Sequence, residues 1–163
     1  MKKLLLFIIL TSLFLGCSSD DEEDAKQTFF VNVYYQYDKG SEPKPVDKAF
    51  VYLFKDNGKE IDRTNSLSSV ALDGEITFSD GSKDLYSFKP EGFGIATNIF
   101  SDIPNGSYIL WVTYNSYSMF ASSYKKIAVN YDYRTTTEKK TFIYDTEFEA
   151  GYNFRFQDWS KAW

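Results

Sequence analysis

The sequence predicts an all-β protein, a single antiparallel β-sandwich of about seven or eight short strands. Three observations lead there. From Thr28 onward, apolar and polar residues alternate at period two, with Gly, Pro, Asn and Asp clusters between the runs. No stretch keeps an apolar 3.6-residue period over three turns, so no long helix is expected. Aromatic residues make up 19% of the 163-residue chain, including 13 Tyr and 15 Phe, and such side chains fit a pleated surface.

Taken in order, residues 29–37 read as a first strand, with Val31, Val33 and Tyr35 on one face. Residues 39–45 form a loop, because Pro43 and Pro45 have no N–H to give a ladder. Residues 49–54 are a second strand, ended by Asp56-Asn57-Gly58-Lys59, where Asn-Gly accepts positive φ; a return strand is expected from Ile61. Residues 69–72 and 75–78 flank Asp73-Gly74 as another hairpin. Residues 80–94 form a long loop rich in Gly, Ser and Lys, and residues 107–114 are the clearest strand in the chain. Strands at 124–130 and 140–144 follow, and 152–156 closes the sheet.

The N-terminus is different in kind. Lys2 and Lys3 precede an almost wholly apolar run from Leu4 to Leu15, which as a helix would span about 18 Å, well short of a ~30 Å hydrocarbon core. A charged start and a short apolar run are the marks of a signal peptide, not a membrane span. The ending Leu13-Phe14-Leu15-Gly16-Cys17 resembles a bacterial lipobox, with Phe14 where Leu is usual. That resemblance implies cleavage after residue 16 and lipidation of Cys17. The expected organisation is therefore signal peptide 1–16, lipidated cysteine and acidic tether 17–27, and β-sandwich 28–163. A lipoprotein cysteine carries two or three acyl chains, enough for stable anchoring.

Charge and composition exclude several functions. Removing Lys2 and Lys3 with the first 16 residues lowers the net charge from −5 to −7, and setting aside Asp20, Asp21, Glu22, Glu23 and Asp24 leaves −2. The folded part has no basic footprint for nucleic acid. The chain contains no histidine, which removes Ser-His-Asp and Cys-His catalysis and every histidine-based metal site. One cysteine permits no internal disulfide. Asp80-Gly81-Ser82-Lys83-Asp84 with Glu91 imitates the oxygen spacing of an EF-hand loop, but Leu85 stands where the sharp turn needs Gly, so no metal or cofactor is expected. The five acids after Cys17-Ser18-Ser19 form a self-repelling linker. They also resemble the acidic export tag of surface lipoproteins in some Gram-negative bacteria, which implies an outer-membrane location facing outside the cell.

A second resemblance covers roughly residues 46–145. Ala49, Val51 and Leu53 alternate ahead of Asp56-Asn57-Gly58-Lys59, and Ile103-Pro104-Asn105-Gly106-Ser107-Tyr108-Ile109-Leu110-Trp111-Val112 follows later. Together they resemble transthyretin-like domains related to the carboxypeptidase regulatory domain, with Ile103 in place of Leu. The resemblance implies an immunoglobulin-like sandwich used for binding, spacing or assembly, with no catalytic residue.

If Ala49, Val51 and Leu53 face the core, then Phe50, Tyr52 and Phe54 face the other way, and Trp111 likewise opposes Tyr108, Leu110 and Val112. Phe50, Tyr52, Phe54 and Trp111 are thus candidate ligand-binding residues on an outer aromatic face suited to a glycan or a protein. The alternative is that a loop or the C-terminal segment, through Phe154 and Phe156, covers them. The leading expectation is a non-enzymatic, lipid-anchored module that binds a glycan or protein partner. A structural or assembly lipoprotein of an outer-membrane or secretion complex comes second, and a carboxylate-based hydrolase third.

Overall fold

The computed structural model describes residues 26–65, 69–93, 96–116, 119–130, 136–143 and 155–158. Its first half carries β1 (Lys26–Gln36), β2 (Lys44–Pro45), β3 (Ala49–Lys55), a π-helical turn (Ser69–Asp73), β4 (Glu75–Thr77), β5 (Lys83–Leu85) and β6 (Gly92–Phe93). Its second half carries β7 (Thr97–Pro104), β8 (Gly106–Ser116), β9 (Met119–Val129), β10 (Thr136–Ile143) and β11 (Arg155–Asp158). Four of these strands are only two or three residues long, so seven form the frame.

Two sheets face each other, as the period-two pattern predicts. The first has the order β10-β1-β7-β6, with β2 continuing the β7 side of β1, and the second has the order β11-β9-β8-β3. Most pairings are antiparallel. Two are not: β1–β10 and β11–β9 run parallel. A hairpin cannot join parallel neighbours, and here the intervening chain crosses to the opposite sheet before returning.

The space between the sheets is filled by alternate residues of the long strands. Phe29, Val31 and Val33 from β1 meet Val51 and Leu53 from β3 and Leu110 and Val112 from β8, with Phe100 and Phe142 closing the sides. Each fully buried side chain of this size contributes roughly 1.5–3 kcal/mol. At the β10 side, Lys125 Nζ meets both carboxylate oxygens of Glu138 at 2.8 and 2.9 Å and ties one sheet to the other.

Between β3 and β6 the chain leaves the sandwich and crosses the outer face of the second sheet. Here the structure differs from three sequence expectations, the first being the long loop at 80–94, which holds β5 and β6. Ile61 starts no return strand; it forms a single bridge with Phe78, and β3 pairs with β8 instead. Ser69–Asp73 is a helical turn, so β4 pairs with β5 across a tighter turn at Phe78–Ser82, where Gly81 has φ 80°. Gly74 is held at φ 65° with the Tyr86 ring against its Cα: a Cβ there would lie 2.3 Å from Tyr86 Cδ1. That contact, not a hairpin, is what needs the glycine.

The Ile103–Tyr108 motif forms the corner at which the chain passes from the first sheet to the second. Tyr108 buries its ring edge-on to Phe88 and donates its hydroxyl to the Pro104 carbonyl at 2.9 Å, bracing the corner from inside. Burial pushes the Tyr108 hydroxyl pKa up. Tyr108→Phe is expected to lower stability by about 0.5–1.5 kcal/mol through loss of this one bond. Denaturant unfolding measures it, and an unchanged midpoint would show that the bond does not brace the corner.

Candidate functional site

The register of β3 against β8 places Tyr52 beside Trp111, Phe54 beside Ile109 and Phe50 beside Thr113, on the outer face of the second sheet. The parity read from the sequence holds. The exposure does not. Ile61, Val70, Ile76 and Phe78 from the β3–β6 connection lie over Phe54, Ile109 and Trp111 and form a second core, leaving Phe54 0% and Trp111 2% exposed. Trp111 stacks on Tyr124 with ring centroids 5.6 Å apart, and its indole N–H donates to Thr113 Oγ1, which is 2.6 Å from Ser122 Oγ. Tyr52 is half-buried, stacked on Tyr86 at 5.1 Å, and its hydroxyl donates to the Ala71 carbonyl at 3.0 Å. Burial, then Tyr86 and Asp73, raise its pKa. Phe50, also half-buried, is not among the residues packed into this second core.

The four candidates therefore do not form an open platform. Of the covers considered from the sequence, a loop supplies this one. Phe154 lies outside the described residues, as does Cys17, and the Phe156 side chain is not described.

The EF-hand-like segment is committed to turn chemistry. Asp80 accepts from Ser82 and pairs with Lys59 at 2.8 Å, Lys83 pairs with Glu75, and Asp84 accepts from Asn57. Among the described residues, no group of three or more His, Cys, Asp or Glu side chains is placed to hold a metal ion.

Two further places, at opposite ends of β1, combine polar groups with an exposed large apolar side chain. Just past its C-terminal end, Tyr37 is 62% exposed on a loop tied by its own side chains. Ser41 Oγ accepts from the N–H groups of Tyr37 and Asp38 at 3.0 and 3.2 Å, Asp38 Oδ1 accepts from Gly40 N–H at 2.7 Å, and Gln36 Nε2 donates to the Asp38 carbonyl. The sequence pattern ran the strand through Tyr37; the Asp38-Lys39-Gly40-Ser41 turn composition right after it is the signal that marks Tyr37 as a loop residue instead.

At the other end, where β1 begins and β7 passes to β8, a cleft of about 340 Å³ opens between the end of β3 and β5. Lys55, Asp56, Asn57, Asp84, Leu85 and Ser87 line it. No sequence signal joins Asp56 to Asp84, because only the folding of the β3–β6 connection brings them together.

Comparison with protein-family models, with curated proteins and with solved structures finds no match for this chain.

The packing and the charges of this region each set an expectation. Trp111→Ala is expected to cost about 3–5 kcal/mol and lower the melting temperature sharply, as for a core aromatic. Phe50→Ala, outside the second core, is expected to cost clearly less, and equal losses would contradict the difference in packing. The other expectation concerns pH. The Lys59 ammonium, then the Ser82 hydroxyl and N–H, hold the Asp80 carboxyl well below the usual carboxylate range. A depressed folded-state pKa adds stability above the unfolded value of about 4, and that contribution fades as pH falls towards the folded value. The melting-temperature difference between wild type and Asp80→Asn is therefore expected at pH 7 and to shrink in acid. A difference independent of pH would count against it.

Proposed function

We propose that this protein is a non-enzymatic, lipid-anchored β-sandwich of the outer membrane, facing outward, that captures a glycan or protein partner through the loop end of the sandwich. The observation that carries the reading is the position of Tyr37. The tether proposed from the sequence, 17–27, leads into the start of β1, which runs eleven residues, roughly 35 Å, from Lys26 to Gln36. Tyr37 thus stands at the end remote from the anchor, on a loop whose hydrogen bonds fix its shape before any partner arrives. An exposed tyrosine offers flat apolar area and a polar tip at low entropic cost, and preorganisation reduces what binding must spend on ordering.

The Lys2–Cys17 segment supports anchoring, and the five acids after it support display outside the cell. The absence of histidine supports a role without general-base chemistry. Assembly by strand addition along β10 finds less support. Among the described residues β10 ends its sheet, and it turns Glu138 and Lys140 to the inner side with Phe142, where charges oppose pairing with a new strand.

Two substitutions test the reading. Cys17→Ala is expected to release the protein from the membrane fraction, and a mutant still retained there would remove the anchor. Tyr37→Ala is expected to weaken capture on an array of surface glycans and extracellular proteins about ten-fold, near 1.4 kcal/mol, with the melting temperature unchanged. Undiminished capture by Tyr37→Ala would remove this loop as the binding surface.

A further inference from the structure

We propose that the cleft between the end of β3 and β5 is a second binding site, built for the vicinal hydroxyls of a neutral saccharide. It lies at the Lys26 end of the sandwich and shares no residue with the Tyr37 loop.

The argument starts from hydrogen-bonding capacity left over after folding. Asn57 Nδ2 donates to Asp84 Oδ2 at 2.9 Å and fixes two walls of the cleft against each other. Asp56 Oδ1 accepts from Gly58 N–H at 2.9 Å and from Lys126 Nζ at 3.1 Å. Among the described residues, the other oxygen of each carboxylate, Asp56 Oδ2 and Asp84 Oδ1, receives no hydrogen bond. Ser87 Oγ accepts from Lys55 N–H at 3.2 Å and keeps its own proton to give. Lys55, which also lines the cleft, carries three donors on its ammonium. Acceptors and donors thus line one small space, at the lower end of the volume range of small-molecule sites.

Charge then selects the ligand. Two carboxylates repel a phosphate or a carboxylate. Lys126 already pairs with Asp56, Asn57 already holds Asp84, and Lys55 lines the same cleft, so a divalent cation would not find the six to eight free oxygen ligands it needs. A neutral polyol suits such a balanced set, because each hydroxyl both donates to a carboxylate and accepts from an N–H or O–H. Leu85 completes the site. It is 67% exposed at the cleft wall and offers apolar surface to the C–H face of a sugar ring.

The same chemistry could come from a glycolipid headgroup of the anchoring membrane or from a free extracellular glycan. The test uses the full acylated chain in detergent micelles, titrated separately with mannose, galactose, calcium chloride and inorganic phosphate while backbone amide resonances are followed. The expected result is a saturable shift of Asn57, Asp84, Leu85 and Ser87 amides with one hexose, at a Kd on the order of 1 mM. Asp84→Asn, which keeps the acceptor for Asn57, is expected to weaken it at least ten-fold (about 1.4 kcal/mol) with melting temperature retained. Tyr37→Ala is expected to leave it intact, so loss of the loop site and loss of the cleft site are read separately. Absence of saturation with either hexose overturns the proposal, as does calcium or phosphate saturating the same amides. For the source, Cys17→Ala protein is mixed with vesicles bearing a hexosyl lipid or with a soluble oligosaccharide of the same hexose. Binding in either arm supports the site and names the source, whereas equal binding to sugar-free phosphatidylcholine vesicles overturns it.

Discussion

The pairing of β3 with β8 sets the constraint that the rest of the molecule satisfies. These two strands are apolar on both faces: Val51, Leu53, Leu110 and Val112 point into the sandwich, while Phe54, Ile109 and Trp111 point out. An antiparallel sheet with one wet face would leave those outer side chains in water. A second cover is therefore required, and the β3–β6 connection provides it with Ile61, Val70, Ile76 and Phe78. The cleft is a by-product of that cover. Its walls are the place where the connection departs from β3 at Asp56 and comes back past it as Asp84 and Ser87.

Several of the polar groups carried into this packing have partners or serve the edges. The Trp111–Thr113–Ser122 chain satisfies an indole N–H and two hydroxyls beneath the cover, where an unpaired donor would cost about 1–3 kcal/mol. On β10, the last strand of the first sheet among the described residues, Lys140 is 8% exposed and lays its ammonium 4.8 Å from the Phe142 ring centroid. Next to it on the same face, Glu138 is held by Lys125. A strand adding itself to this edge would have to bury those charges more deeply, which protects an otherwise ordinary eight-residue edge.

The long strands β1, β3 and β8 were legible because their cause is local, whereas β7 at Thr97–Pro104 was not read at all. Alternation along β1, β3 and β8 follows from a core on one side, and the sequence states it directly. The partners of those strands were not legible, because nothing near Asn57-Gly58 or Asp73-Gly74 says whether the chain returns at once. Both are sound turn sequences. At the first, Asp56 and Asn57 cap the following N–H groups and the chain walks away over the sheet. At the second, the glycine answers to the ring of Tyr86, which lies well beyond the turn itself. Turn composition reports backbone permission, while tertiary contacts decide how it is used.

The outer aromatic face illustrates the same limit at the level of function. Period two says which way Phe50, Tyr52, Phe54 and Trp111 point, but it carries no information about what lies above them. A small chain with this aromatic content must bury its rings against whatever surface its own loops can provide. The abundance that suggested a platform is thus also what closed it. Among the described residues, the large apolar side chains left mainly in water are Tyr37 on its loop, Leu85 at the cleft and Leu72 on the helical turn. The recognition proposed for this sandwich therefore rests on few groups, and on the hydrogen bonds that would keep those groups in place before a partner arrives.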